Sequence, residues 1–279
     1  MFPSVELIDM SIVDSNQIAH VLSRVESSEI YNLASISSVA HSILEPELSY
    51  RVNALGPINL VEAISNLGLQ NSVKMYQASS SEMFGKATVF PQDESTPLNP
   101  VSPYATAKAF AHEYCGVQRA RGMFISCGIL FNHESPYRSK GFVSKKICRG
   151  VAEISLGKRE KITIGSLSPE RDWGFAGDYV EAMWAMLQQD LPTDFVIATG
   201  KSRSIQEFLT EALKVAKLDG GIHNYVEHDQ QLFRPNEITK SVGDASKAKL
   251  VLGWSPHTTF EEMVALMVES EIKDILNGH

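Results

Sequence analysis

Residues 72–85, SVKMYQASSSEMFG, join a short apolar run to a run of small polar residues. The apolar part predicts a β-strand at residues 72–79, and its continuous apolar character is typical of a strand that is covered on both faces. In open parallel sheets, ligands bind at the carboxyl ends of the strands. We therefore expect Ser80, Ser81 and Glu82 to lie at a binding crevice, although serines that merely cap a strand would fit the same pattern.

Similar strand-like runs alternate with helical periodicity along the chain, and this alternation predicts an α/β fold with a parallel sheet. In chain order, we predict strands at 29–35, 72–79, 123–132, 161–165 and 194–200, and helices at 47–67, 104–121, 142–156, 176–189 and from Ser204, where Glu207 completes a capping box.

The start of the chain is unusual for a nucleotide-binding sheet. Residues 5–9 predict a strand and residues 14–25 a helix, and no glycine precedes Gly56. A nucleotide-binding sheet normally opens with a strand, a glycine-rich turn and a helix whose N-terminus holds a pyrophosphate. We therefore expect no phosphate-binding turn in this segment.

Composition narrows the function classes. The chain has 279 residues, a formal net charge of -8 and scattered lysines and arginines, which argues against nucleic acid or an anionic membrane as partner. The three cysteines, Cys115, Cys127 and Cys148, lack metal-ligand spacing, so we expect buried thiols in a reducing compartment and no metal. No leader or membrane-spanning run is recognisable, and the cytoplasm is the expected location.

The stretch SPYATAKAF, residues 102–110, places Tyr104 four residues before Lys108. On a helix the two side chains share one face. A nearby ammonium stabilises a phenolate and lowers the pKa of tyrosine, so the pair could act as a base with a helper cation. A surface pair without a function fits the spacing equally well.

Taken together, these segments resemble a known family. YQASSSEMFG followed by the Ser-Pro-Tyr-x-x-x-Lys element resembles the extended short-chain dehydrogenase/reductase superfamily and, within it, the GDP-mannose 4,6-dehydratases. Further matching segments are GILFNHESP (128–136), RDWGFAGDYVEAMW (171–184), DFVIATG (194–200), FRPNEI (233–238) and GDASKAKLVLGW (243–254).

The resemblance implies a Rossmann-like doubly wound parallel sheet with a smaller C-terminal lobe that binds the substrate. Residues 1–132 and 172–200 would belong to the NADP-binding domain, and residues 133–171 and 201–279 mainly to the sugar-nucleotide lobe. The family's opening strand, glycine-rich turn and next strand have no counterpart in the sequence, a difference of roughly 50 to 60 residues. We therefore expect the sequence to start internally, as a fragment or from a misplaced start codon.

By the same resemblance, the catalytic set comprises Ser80, Glu82, Tyr104 and Lys108. The family reaction is an internal redox in which NADP takes hydride from carbon 4 of GDP-mannose and returns it to carbon 6. Tyr104 would remove the 4-hydroxyl proton, and Glu82 would take the carbon 5 proton and help the 6-hydroxyl leave as water. The family usually has threonine in place of Ser80, and the hydroxyl is retained here.

The resemblance also implies binding residues. The cofactor set is Asp9, Met10, Leu33, Ser35, Tyr104, Lys108, His133 and Arg138. The sugar-nucleotide set is Asn132, Lys146, Arg171, Arg234 and Glu237, in which guanidinium groups suit a diphosphate and a carboxylate can accept from guanine. The family forms dimers and tetramers, so a homo-oligomer is expected.

Four positions depart from the family pattern: Ile36 and Ser38 replace polar residues near the cofactor, Phe84 stands where tyrosine is common, and Tyr137 stands where a first arginine is usual. Two alternative functions therefore stay open. One is another sugar-nucleotide epimerase or 4-keto reductase of the superfamily, and the other is a binding or assembly module that does not turn substrate over.

Overall fold

The computed structural model describes residues 5–232 and 237–278. The strands, in chain order, are β1 Glu29–Asn32, β2 Lys74–Ser80, β3 Ile125–Leu130, β4 Asn132–Glu134, β5 Ile162–Ile164, β6 Glu170–Phe175, β7 Phe195–Ile197, β8 Ser202–Ser204 and β9 Val226–His228. The α-helices are α1 Ser15–Arg24, α2 Val39–Leu44, α3 Pro46–Tyr50, α4 Gly56–Asn66, α5 Pro103–Ala120, α6 Val143–Ser155, α7 Ala176–Leu187, α8 Ile205–Val215, α9 Ser246–Leu252 and α10 Phe260–Leu276.

The central sheet is parallel and has the order β1-β2-β3-β7. Ser80 at the end of β2 pairs with Leu130 at the end of β3, and Leu130 pairs with Ile197 in β7. The carboxyl ends of these strands therefore meet at one edge. The predicted parallel α/β sheet is confirmed.

Two smaller sheets lie beyond the central one. Strand β6 pairs with β4 in parallel and with β8 in antiparallel orientation, and β5 pairs with β9. Four hydrogen bonds to the buried carboxylate of Asp172 in β6 join three segments. Its oxygens accept from the Thr199 hydroxyl at 2.6 Å and from the amides of Thr199, Gly200 and Gly243 at 2.8, 2.9 and 3.2 Å. The strand that carries Arg171 is thereby tied to the end of β7.

Three hydrophobic clusters pack against the central sheet, and a fourth lies among α6, α8 and α10. In the fourth cluster, the rings of Trp173 and Phe208 are 5.2 Å apart, and Phe208 meets Phe260 edge-on. Each fully buried large apolar side chain contributes about 1.5–3 kcal/mol. No helix in residues 5–232 and 237–278 is long and apolar enough to cross a membrane.

Two predicted elements differ from the structure. The single helix at 47–67 is instead α3, a π-helical turn at Arg51–Leu55 and α4. Pro57 explains the break, because it has no N–H to bond the preceding turn.

The strand predicted at 5–9 is wrong, since residues 5–10 have no regular structure. A strand needs a paired neighbour, and Leu7 here is 84% exposed. The helix that follows is confirmed as α1. Its N-cap is Asp14, whose carboxylate accepts from the amides of Asn16 and Gln17.

Candidate active site

Helix α5 carries Tyr104 and Lys108 to the end of β2. The helix begins where Ser102 accepts a hydrogen bond from the amide of Ala105 at 3.1 Å, with Pro103 in its first turn. Its N-terminal turn is held in place by Ser42, whose hydroxyl accepts from the Tyr104 amide at 3.2 Å. The side chains of Tyr104 and Lys108 are both buried. The surface-pair alternative for Tyr104 and Lys108 is therefore wrong.

The hydroxyl of Tyr104 lies close to the hydroxyls of Ser80 and Ser35. Ser35 is itself held by a 2.8 Å hydrogen bond from its hydroxyl to the buried Asn53. Burial raises the pKa of Tyr104 above its ordinary value, and nearby Glu82 adds to this, while Ser80 acts in the opposite direction. Tyr104 is therefore a neutral phenol at rest.

Lys108 donates from Nζ to the carbonyl of Ala78 at 2.9 Å, and its Nζ lies 5.9 Å from the centre of the Tyr104 ring. Burial lowers the pKa of Lys108 to about 8, so it is mostly protonated at pH 7. The expectation that Lys108 lowers the pKa of Tyr104 is wrong in direction. The pKa is raised, chiefly because the phenol is almost entirely removed from water.

Glu82 lies in a short 3₁₀ turn, Ser81–Phe84, that directly follows β2. The Ser80 hydroxyl accepts a 3.3 Å hydrogen bond from the Glu82 amide and so starts this turn. Gly85 ends the turn with φ of 52°, and a side chain there would collide with the backbone oxygen of Asn99. The strand end, the turn and the glycine together hold Glu82 in the same cavity as Tyr104.

A second polar group follows β3. The His133 ring stacks on Tyr179 at 5.1 Å, with Nδ1 2.8 Å from the Phe131 carbonyl oxygen. Burial lowers the pKa of His133 to about 4, so the ring is neutral at pH 7.

Arg138 lies over the ring of Phe142, with Nε 3.0 Å from the carboxylate of Glu134. Glu134 also accepts a hydrogen bond from Ser144 at 2.7 Å. The sequence motif NHESP contains Glu134, but the motif alone assigned no role to it. Its contacts link the site loop to the start of α6.

Arg171 and Glu237 are paired. The guanidinium of Arg171 donates to Glu237 at 2.6 Å and to the Ile238 carbonyl at 2.8 Å. Both had been expected to contact the sugar nucleotide. A guanidinium that is already oriented by a carboxylate presents its remaining N–H groups in a defined direction.

One cavity of about 1070 Å³ joins these groups. The sequence-predicted site residues that line it are Leu33, Ser35, Ser80, Glu82, Tyr104, Lys108, Asn132, His133, Arg138, Lys146, Arg171 and Glu237. Asp9 and Met10 are exposed and lie outside this lining, while Arg234 lies outside the described residues. Ser38, one of the departures from the family pattern, lines the cavity and caps α2.

A buried polar group behind α5 was missed from the sequence. The three cysteines are buried as expected, but one ligand-type atom from each of His112, Cys127 and Asp194 lies within 4.8 Å of the other two. Both carboxylate oxygens of Asp194 accept from Arg119, at 2.6 and 2.5 Å. The positive charge beside this carboxylate is therefore already supplied by arginine. Only the folded topology brings these distant residues together.

Sequence comparisons show the family of the chain. The family model described as GDP-mannose 4,6 dehydratase matches residues 2–267. The chain belongs to the GDP-mannose 4,6-dehydratase family. GDP-mannose 4,6 dehydratase 2 of Arabidopsis thaliana is 45% identical over 265 residues, which cover 94% of this chain and 70% of the relative. The GDP-mannose 4,6 dehydratase of Homo sapiens is 41% identical over 278 residues, covering 94% of this chain and 75% of the human protein.

Solved structures match the fold. RMD from Pseudomonas aeruginosa, complexed with NADPH, has a TM-score of 0.86 at 19% identity and covers 95% of this chain and 88% of that one. The dTDP-glucose 4,6-dehydratase of Bacillus anthracis, in complex with NAD, has a TM-score of 0.83 at 20% identity, covering 98% of this chain and 81% of that one. The Rossmann-like α/β architecture expected for a GDP-mannose 4,6-dehydratase family member is thereby confirmed.

Proposed function

We propose that the protein is an NADP-dependent GDP-mannose 4,6-dehydratase that converts GDP-D-mannose to GDP-4-keto-6-deoxy-D-mannose with loss of water. The observation that carries the proposal is the meeting of Ser80, Glu82, Tyr104 and Lys108 in one cavity of a chain that belongs to this family. A simple epimerase or reductase has no need of a base at carbon 5, and Glu82 supplies one.

Tyr104 acts on the sugar 4-hydroxyl. Tyr104 acts as a phenolate: the resting phenol first loses its own proton to solvent, and the ammonium of Lys108 stabilises the phenolate. The phenolate oxygen then takes the 4-hydroxyl proton as carbon 4 is oxidised, and the nearby Ser80 hydroxyl holds the 4-oxygen in line. A positioned acid or base of this kind contributes about 10² to 10⁴ in rate.

Glu82 acts on carbons 5 and 6. The ketone at carbon 4 acidifies the proton on carbon 5, and the Glu82 carboxylate removes that proton. The same carboxyl group then delivers a proton to the departing 6-hydroxyl, which leaves as water. Glu82 thus ends in its starting state. Once carbon 6 has received hydride, carbon 5 takes a proton from solvent, and Tyr104 returns the proton of the 4-hydroxyl to solvent, so the protons balance over one turnover.

The residues present fit the nicotinamide end of NADP. The buried Tyr104 and Lys108 and the partly buried Ser35 offer donors at the carboxyl edge of the sheet, where ligands of such folds bind. His133 and Arg138 line the adjoining wall. These residues would hold the nicotinamide end, and the bound cofactor would supply the hydride acceptor for carbon 4 and the hydride donor for carbon 6. For the adenine end, Asp9, Met10 and Leu33 stay the proposed contacts.

The opposite part of the cavity suits the GDP group. Arg171, oriented by Glu237, and Lys146 provide cationic donors for the diphosphate, and Asn132 faces the same space. We also propose Arg234 as a diphosphate contact, from the sequence alone. In this arrangement the Glu237 carboxylate accepts from the guanine N–H groups.

The proposed function is tested by incubating the chain with GDP-mannose and millimolar NADP. The expected product has lost one water molecule and has a carbonyl at carbon 4, and both can be read by mass spectrometry and borohydride trapping. Turnover of another sugar nucleotide with no reaction of GDP-mannose would instead assign an epimerase or reductase.

A chain that binds GDP-mannose but never releases a keto product would be a sugar-nucleotide-binding or assembly module. Calorimetric titration with GDP-mannose, paired with the product assay, separates the two functions.

We further propose a cytoplasmic location and a homo-oligomeric state. The three free, buried thiols suit a reducing compartment. Exposed apolar side chains on α5, Phe110 and Val117, provide an outward face on which a second copy could pack. Fractionation of cells and the mass of the particle in solution test these two points.

A further inference from the structure

Two residues of α5, spaced four apart, each contact one of two consecutive residues near the end of β2. Lys108 donates to the Ala78 carbonyl at 2.9 Å, and His112 Nδ1 is 3.0 Å from the Ser79 hydroxyl. Residues four apart lie on one face of a helix, so Tyr104, Lys108 and His112 share the face of α5 that meets β2.

We propose that His112 is a positioning residue for the dehydration. Its bond to Ser79 fixes the rotation of α5 against β2, and through that rotation it sets where the Tyr104 hydroxyl stands. His112 touches neither the cavity nor its contents, and it acts through the helix that carries Tyr104 and Lys108. This role rests on the proposed function of the site.

On the side away from Ser79, the imidazole of His112 faces Asp194. Nε2 of His112 lies 3.9 Å from Asp194 Oδ2, and Asp194 immediately precedes β7. Both oxygens of that carboxylate are held by Arg119, which also donates to the Ile125 carbonyl at 3.0 Å. Because Asp194 lies on the other side of the ring, Nδ1 faces Ser79 and the hydrogen bond between Nδ1 and the Ser79 hydroxyl has a fixed direction.

Loss of this bond has a direct cost for the site. Ser79 is 4% exposed, so its hydroxyl has little access to water when His112 is removed. The helix must then rotate or shift to relieve the unpaired group. A misplacement of about 1 Å at a catalytic group can slow a reaction about 100-fold, so a partial shift of α5 is expected to show first in kcat.

Two substitutions of His112 distinguish the contact made by Nδ1 from the contact made by Nε2. Asparagine places a polar atom where Nδ1 stands and so keeps the bond to Ser79. Glutamine places one near Nε2 and keeps only the Asp194 side. We expect His112→Asn to retain kcat within about threefold and His112→Gln to lose about tenfold, with the KM for GDP-mannose unchanged in both.

Substitution of Ser79, the residue that contacts His112, is the second part of the kinetic test. Ser79→Ala should lower kcat as His112→Gln does, and the double variant should fall no further, because both remove the same bond. Glu113→Gln, at an exposed neighbouring position on α5, is the control and should keep full activity. Equal loss in His112→Asn and His112→Gln, or additive losses in the double variant, would overturn the proposal.

A readout without turnover keeps the test independent of the proposed function. Hydrogen–deuterium exchange over residues 102–112 should be faster in His112→Gln than in His112→Asn, at matched unfolding midpoints. If the wild type makes no keto product, the proposed function fails while the exchange measurement still decides the role of the bond. Equal exchange in the two variants would show that the Ser79 bond does not hold α5.

Discussion

Replacing Glu134 with glutamine should change how the stability of the protein depends on pH. Glu134 ends β4 and is 1% exposed, it accepts from Ser144 at 2.7 Å, and it lies 3.0 Å from Arg138. Burial raises the pKa of the Glu134 carboxyl from 4.5 to about 6, against the opposing effect of Arg138. Replacing Glu134 with a residue that does not titrate should therefore change the pH dependence of the unfolding free energy in a predictable direction.

The magnitude follows from the shift in pKa. A rise from 4.5 to about 6 corresponds to about 2 kcal/mol between the protonated and ionised forms. The folded state holds this proton more tightly than the unfolded chain does. Its stabilising contribution is therefore complete below about pH 4.5 and is lost as the pH rises through about 6.

Urea unfolding from about pH 4.5 to about pH 7.5 measures the effect. The unfolding free energy of the wild type minus that of Glu134→Gln should fall by about 2 kcal/mol across this window. Glu113→Gln, a substitution at an exposed position, should leave the pH dependence of the unfolding free energy as it is in the wild type. If Glu134→Gln also leaves this pH dependence unchanged, then the Glu134 carboxyl does not titrate with a raised pKa and the reasoning is refuted.

Two further predictions concern the site and the fold. Tyr104→Phe should lower turnover by about 10² to 10⁴ while the calorimetric Kd for GDP-mannose stays unchanged, and retention of activity would remove Tyr104 from the mechanism. Asp172→Ala should destabilise the protein by about 3 kcal/mol in urea unfolding, because it leaves the amides of Thr199, Gly200 and Gly243 without their acceptor, and a loss below about 1 kcal/mol would contradict this.

Local patterns predicted much of the fold because they report short-range physics. The capping box at Ser204 and Glu207 begins α8, and the strand at 72–79 is β2 to within two residues at its start and one at its end. The strand expected at 5–9 failed because pairing is non-local: an apolar run without a neighbour stays irregular.

The site was predicted in part for the same reason. Motif matching brought Ser80, Tyr104 and Lys108 together correctly, since a strand end and the start of a helix fix their positions. The direction of the shift in the Tyr104 pKa could not be read from its spacing to Lys108, because burial of the phenol has the largest effect on that pKa. The contact between His112 and Asp194 joins residues far apart in the chain and leaves no local signal.

The most direct test of the dehydratase assignment is the product formed from GDP-mannose in deuterated water with millimolar NADP. The mechanism predicts a sugar nucleotide that has lost one water molecule and carries one deuterium at carbon 5, where Glu82 removes a proton and solvent supplies its replacement. A product that keeps all its oxygen atoms, or no product alongside measurable GDP-mannose binding, would contradict the assignment.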